Sequence, residues 1–145
     1  MRDRIAVILL AFIFTIGGVH AQSQTFKGRL SPVPISADMV TRITGSGSFS
    51  GELTGTTLTI AGLFTGLQSP ATLAHLHIGE RTGVRGPAVF DVRVDKATTG
   101  SLSATIELSE AQIASLRRGF FYVQIHSEKA ADGNLWGWLL AEDKK

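Results

Sequence analysis

A chain of 145 residues with a formal net charge of +2 and no cysteine excludes several classes at once. Disulfides, thiolate metal sites and cysteine nucleophiles are ruled out, and the lack of a basic stripe with interleaved aromatics argues against nucleic acid as a partner. Stability has to come from a packed core, and the length suits one domain.

The N-terminus is of a different kind from the rest. Arg2 and Arg4 precede an almost unbroken apolar run over residues 5–16, and Val19-His20-Ala21 ends it on a small residue. This is the pattern of a secretory signal peptide over residues 1–21: the run is too short to cross a bilayer comfortably, and no basic stop-transfer segment follows. The expectation is a periplasmic or secreted protein with no membrane span after cleavage, its mature part a single domain over residues 22–145.

Residues 25–30 alternate as a short strand, which Ser31-Pro32-Val33-Pro34 is expected to break. Residues 45–53 and 56–63 form a predicted hairpin around Thr54-Gly55, with Phe49, Leu53, Leu58 and Ile60 as its apolar positions. Next comes the stretch LAHLHIGERTGVRGPAVFDVRVD, residues 73–95. Side chains two apart on a strand share a face, so His75 and His77 point one way while Ala74, Leu76 and Ile78 point the other, toward the core. Phe90, Val92 and Val94 then share a face opposite Asp91 and Arg93, and residues 99–108 place Leu102, Ala104, Ile106 and Leu108 in register.

Ser109-Glu110-Ala111-Gln112 is a capping box that opens the one predicted helix, which Gly119 ends. Residues 120–127 and 134–140 are the last predicted strands, joined by a turn over residues 128–133. Short strands spaced about ten residues apart with one connecting helix indicate an antiparallel β-sandwich or flattened barrel.

The runs AHLHIG, GPAVFDV, LSEAQIASLRRGFFYVQIHS and DGNLWGWLL together resemble the chordin (CHRD) domain family. The shared anchors are His75, His77, Gly79, Gly86, Pro87, Gly119, Tyr122, His126, Gly133 and Gly137. Where the family usually ends in P-x-G-E-I-R-G-Q-L, this chain has Ala131, Asn134, Trp136 and Trp138 in place of the proline, glutamate, arginine and glutamine. The resemblance implies an all-β, antiparallel immunoglobulin-like or superoxide-dismutase-like β-sandwich, and a binding or structural module with no firm activity attached to it.

Alternation puts Tyr122, Gln124 and His126 on the face away from Phe121, Val123 and Ile125. A simple hairpin register sets His126 opposite Asn134, Gln124 opposite Trp136 and Tyr122 opposite Trp138. One polar face then gathers His75, His77, Asp91, Tyr122, Gln124, His126, Trp136 and Trp138. A His-x-His pair with a third imidazole from a neighbouring strand can hold copper or zinc, so His75, His77 and His126 are the candidate metal ligands. With only three histidines after residue 21, no second cluster exists for a dinuclear, dismutase-type site. The alternative is structural: the imidazoles bond to backbone carbonyls and to the loop over residues 79–86, tying strand ends together.

Trp136 and Trp138 are candidates for stacking on a carbohydrate or a protein partner, or for packing under the proline-rich segment. Arg81 and Arg85 form a candidate anion site or a solvated loop surface. No G-x-S-x-G elbow, H-E-x-x-H helix or Walker loop is present, so no motif identifies catalytic residues.

Overall fold

Alternation becomes strand wherever one face can be buried, and the computed structural model, which describes residues 22–142, shows this along most of the chain. The expected leader and its cleavage position lie outside the described residues. The predicted hairpin forms from β2 (Ser46–Thr54) and β3 (Thr57–Thr65). Its turn uses Gly55 at φ +61°, a left-handed conformation that glycine adopts without a Cβ penalty. Phe49, Leu53, Leu58 and Ile60 are all buried, as their alternation requires.

The remaining elements are β1 (Ser23–Pro32), a single 3-10 turn (Ala37–Met39), β4 (Ala71–Ile78), β5 (Ala88–Val94), β6 (Gly100–Glu107), α1 (Glu110–Arg117), β7 (Phe121–Ser127), β8 (Ala130–Trp138) and β9 (Leu140–Ala141). The capping box is made as predicted. Gln112 N–H donates to Ser109 Oγ and Ser109 N–H donates to Gln112 Oε1 at 2.8 Å, while Ile113 and Leu116 pack into the core.

The coarse class is met, since the domain is antiparallel and all-β with one short α-helix, but the expected immunoglobulin-like or superoxide-dismutase-like sandwich is not what the strands build. Its strands pair in the order β2-β3-β6-β5-β4-β7-β8-β1, and β1 pairs again with β2, so eight strands close into a barrel instead of leaving two sheets with open edges. Two narrow seams complete the closure. At one, β5 meets β6 through Arg93↔Ser103 and Val94↔Leu102. At the other, Ser31↔Trp136 and Pro32↔Leu135 join β1 to β8, and β9 continues the seam with Phe26↔Ala141 and Lys27↔Leu140.

That second seam corrects the expected break after Leu30. The strand runs on through Pro32 because its last two residues exchange β2 for β8 as partner. Closure removes unpaired edges, and an eight-stranded barrel is just wide enough for side chains to fill. Leu30, Leu58, Leu76, Phe121, Ile125 and Leu135 are 0% exposed. The interior is therefore a packed core, and polar chemistry has to be sought on the outer face.

A second correction concerns the last hairpin. β8 begins at Ala130, four residues earlier than predicted, and the register shifts between Ile125 and Ser127. Tyr122↔Trp138 and Gln124↔Trp136 pair as expected. The expected facing of His126 and Asn134 is not made. Asn134 is fully buried, donates to Thr44 O and accepts from Ser127 Oγ.

Candidate metal centre

Strand register builds the site. β4 and β7 pair His75 with Gln124, His77 with Tyr122 and Leu73 with His126, so the three histidines fall on one patch of the outer face. Their ring centroids are 5.9 Å (His75 to His77) and 5.4 Å (His75 to His126) apart. One ring nitrogen from each can be chosen such that all three lie within 4.8 Å of one another.

Two segments wall the patch in. The loop after β4 folds back so that Gly86 meets both His77 and Tyr122: Gly86 O accepts from His77 Nδ1–H at 2.9 Å and from the Tyr122 hydroxyl at 3.1 Å. Glycine is required at this close approach, since a Cβ on residue 86 would lie 1.8 Å from Ile78 O. On the other side Val33, Ile43 and Ala130 form a small cluster against which Met39 and Trp136 pack. Trp136 thus lies under the proline-containing segment, the packing alternative raised from the sequence. Tyr122 stacks on His77 with centroids 4.7 Å apart and leans on Trp138 at 4.5 Å.

Each of two histidines is oriented through Nδ1. His77 bonds Gly86 O, and His126 Nδ1–H donates to Ala131 O at 2.7 Å. Carbonyl bonds of this kind fix the tautomer that leaves the Nε2 lone pair available. The Nε2 of His126 meets the Gln124 amide at 3.3 Å. The Nε2 of His77 is buried with no hydrogen-bond partner, and no other fully buried side-chain nitrogen or oxygen among the described residues is in that position.

The remaining sequence candidates divide. Asp91 Oδ1 is 3.7 Å from His75 Nε2, but the Asp91 side chain is 99% exposed and so flanks the cluster from solvent. Arg85 lies over the Trp136 ring at 5.4 Å. Neither Arg81 nor Arg85 forms an ion pair among the described residues. The expected bonds from imidazoles to backbone carbonyls and to the loop over residues 79–86 are made at Gly86 and Ala131; which carbonyls serve, and that both bonds use Nδ1, carries no residue-type signal in the sequence.

Burial pushes the His77 pKa below its ordinary 6.5, with His75, His126 and Arg85 acting the same way against the Gly86 carbonyl. Burial lowers His126 too, against the Ala131 carbonyl and Asp132. The unfolded chain therefore takes up protons on these two residues before the native state does. Stability is expected to fall as pH drops below about 6.5 and to level off below the depressed native values. Asp38, Asp95 and Glu107, lowered chiefly by hydrogen bonds from Ser36, Ser101 and Thr57, act in a separate window that opens below their ordinary values of 3.8 for the aspartates and 4.5 for the glutamate. Urea midpoints between pH 8 and 5 should show the histidine slope, and His77→Asn/His126→Asn should remove it. An unchanged slope in that variant would contradict the assignment.

The fold and the site together define a closed antiparallel β-barrel domain with a three-imidazole patch on its outer face. The sequence matches the CHRD domain over residues 30–139, and the chain belongs to the CHRD domain family. No curated protein and no solved structure gives a significant match.

Proposed function

We propose that this CHRD domain is an exported binding module that holds one copper or zinc ion between His75, His77 and His126. The observation that carries the reading is the buried, unpartnered Nε2 of His77 beside two further imidazoles. A buried polar nitrogen without a partner is costly unless something unseen satisfies it. Three neutral imidazoles form a donor set suited to first-row transition ions.

A structural role for the histidines is compatible with this reading. The bonds to Gly86 and Ala131 use Nδ1, and such bonds are what metal-ligating histidines ordinarily make through the nitrogen that does not ligate. A carbohydrate or protein partner on Trp136 and Trp138 has less support, because both rings are half-buried and Trp136 is packed under the proline-containing segment. When bound, zinc would supply Lewis acidity and copper would add one-electron chemistry. Export rests on the leader pattern of residues 1–21.

The test is elemental analysis of the mature protein, purified without a histidine tag or chelator, followed by copper and zinc titration. About one equivalent is expected by the one-site reading, lost in His75→Ala/His77→Ala. A protein that binds neither ion sinks the proposal. Intact mass of the exported protein checks removal of the leader after Ala21.

A further inference from the structure

Among the described residues four polar side chains are buried: Ser69, Gln124, Ser127 and Asn134. Ser127 and Asn134 bond to each other, and Ser69 accepts from Lys129 N–H. Gln124, 5% exposed, is the one that reaches the histidines. Its amide nitrogen is 3.1 Å from Asp132 O and 3.3 Å from His126 Nε2.

Because His126 uses Nδ1–H on Ala131 O, its Nε2 is an acceptor, and the Gln124 amide donates to it. That lone pair is the one His126 would offer to a metal. The amide hydrogen points at that lone pair and lies where an ion held by it would sit, so the N–H···N contact has to be given up before His126 Nε2 can coordinate.

The amide has a second end. Oε1 makes no hydrogen bond among the described residues, so a half-turn of the side chain gives up only the two bonds of Nε2 and brings a carbonyl-type oxygen to the place where the nitrogen now sits. That oxygen then faces Asp132 O about 3.1 Å away, a repulsion that the bound cation has to offset. Donors around a tetrahedral ion with bonds of about 2.0–2.1 Å are about 3.3 Å apart. The amide atom already lies 3.3 Å from His126 Nε2. Residue 133 leaves the room this needs: it is glycine at φ +135°, and a Cβ there would come within 2.7 Å of Gln124 Nε2. A glutamine oxygen is a known weak, long ligand in copper sites built on two histidines and a cysteine; this chain has no cysteine, so the precedent shows only that an amide oxygen can join imidazoles around an ion.

We propose that Gln124 is the fourth metal-binding group of the site, shielding His126 with its amide nitrogen in the free protein and turning its amide oxygen to the ion when one binds. The inference rests on the three-histidine reading, and the experiment separates the two.

Zinc affinity is measured by competition with a chromophoric chelator for wild type, Gln124→Leu and Gln124→Glu, each first shown by circular dichroism and urea midpoint to be folded. A ligand role predicts at least about tenfold weaker binding for Leu, the lower end of what loss of a supporting group costs a metal site. It predicts tighter binding for Glu, which offers an anionic oxygen at the same place. In the cobalt(II)-substituted proteins, the visible bands should shift between wild type and Glu because a donor atom has changed character.

Tighter or unchanged binding in Gln124→Leu overturns the proposal, because an amide that only shields His126 would, once removed, leave the ion an easier entry. Should Leu prove unstable, weaker binding or unshifted cobalt bands in Glu overturn it. A wild type that binds no zinc, copper or cobalt removes the three-histidine reading itself, and the role of Gln124 falls with it.

Discussion

With free zinc or copper at about 100 times its Kd, the wild-type domain is expected to gain about 2.7 kcal/mol of stability, and His75→Ala/His77→Ala is expected to gain none. The stabilisation follows from linkage: the folded patch brings together one nitrogen from each of three residues within 4.8 Å, and the unfolded chain does not hold Leu73 opposite His126 or His75 opposite Gln124. Two of the three donors vanish in the double variant, which leaves His126 as an isolated imidazole.

The metal-free variant should remain folded. His77→Ala gives up the bond to Gly86 O and the stacking on Tyr122, a loss of about 1 kcal/mol for a net hydrogen bond, but it also removes the unpartnered buried Nε2. Thermal melts with and without added ion make the comparison. A melting shift that survives in the variant places the ion elsewhere, on exposed carboxylates for instance, and ends the three-histidine interpretation.

Phe49→Ala is expected to destabilise the domain by about 3–5 kcal/mol, the range for truncating a buried aromatic ring. Phe49 is 4% exposed and stands between Gly28 and Gly62, its partners on β1 and β3. A Cβ on Gly28 would come within 2.2 Å of the Phe49 ring, and one on Gly137 within 2.7 Å. The ring thus occupies space left vacant by glycines on two other strands, Gly28 in β1 and Gly137 in β8, at the seam that closes the barrel. Those glycines have no side chain with which to collapse into the gap, so relaxation after truncation is limited. Urea unfolding reads the difference directly. A loss below about 1.5 kcal/mol, the level of a volume-conserving core swap, would show that the ring does not hold this seam together.

The Phe49 contacts also show where reading the chain stops. Alternation marks Phe49 as a core position, and nothing local reveals that glycines on β1, β3 and β8 converge on it. The same division holds at the site. The period of two along β4 and β7 puts His75, His77, Tyr122, Gln124 and His126 on one outer face, and the register of Tyr122 and Gln124 against Trp138 and Trp136 follows from a simple hairpin. The irregularity between Ile125 and Ser127 does not follow from it, and that shift turns His126 away from Asn134 and onto Ala131 O. Asn134, expected opposite His126 on the polar face, is buried instead and bonds to Thr44, a residue 90 positions away in the chain.

By itself the sequence determined the course of most strands, though not the end of β1 or the start of β8, together with the capped helix, the apolar faces of the alternating strands and the common face of the three histidines, because these depend on side-chain period and on groups a few residues apart. It also carried enough anchors to point to the CHRD family. Only the tertiary structure decided that the sheet closes into a barrel, that the loop ending at Gly86 and the segment carrying Val33 and Ile43 cover the outer face, and that His77 Nε2 is left buried without a partner. Each of these depends on backbone groups and side chains meeting across long separations, where the free energy belongs to the packed assembly and leaves no periodic trace in the chain.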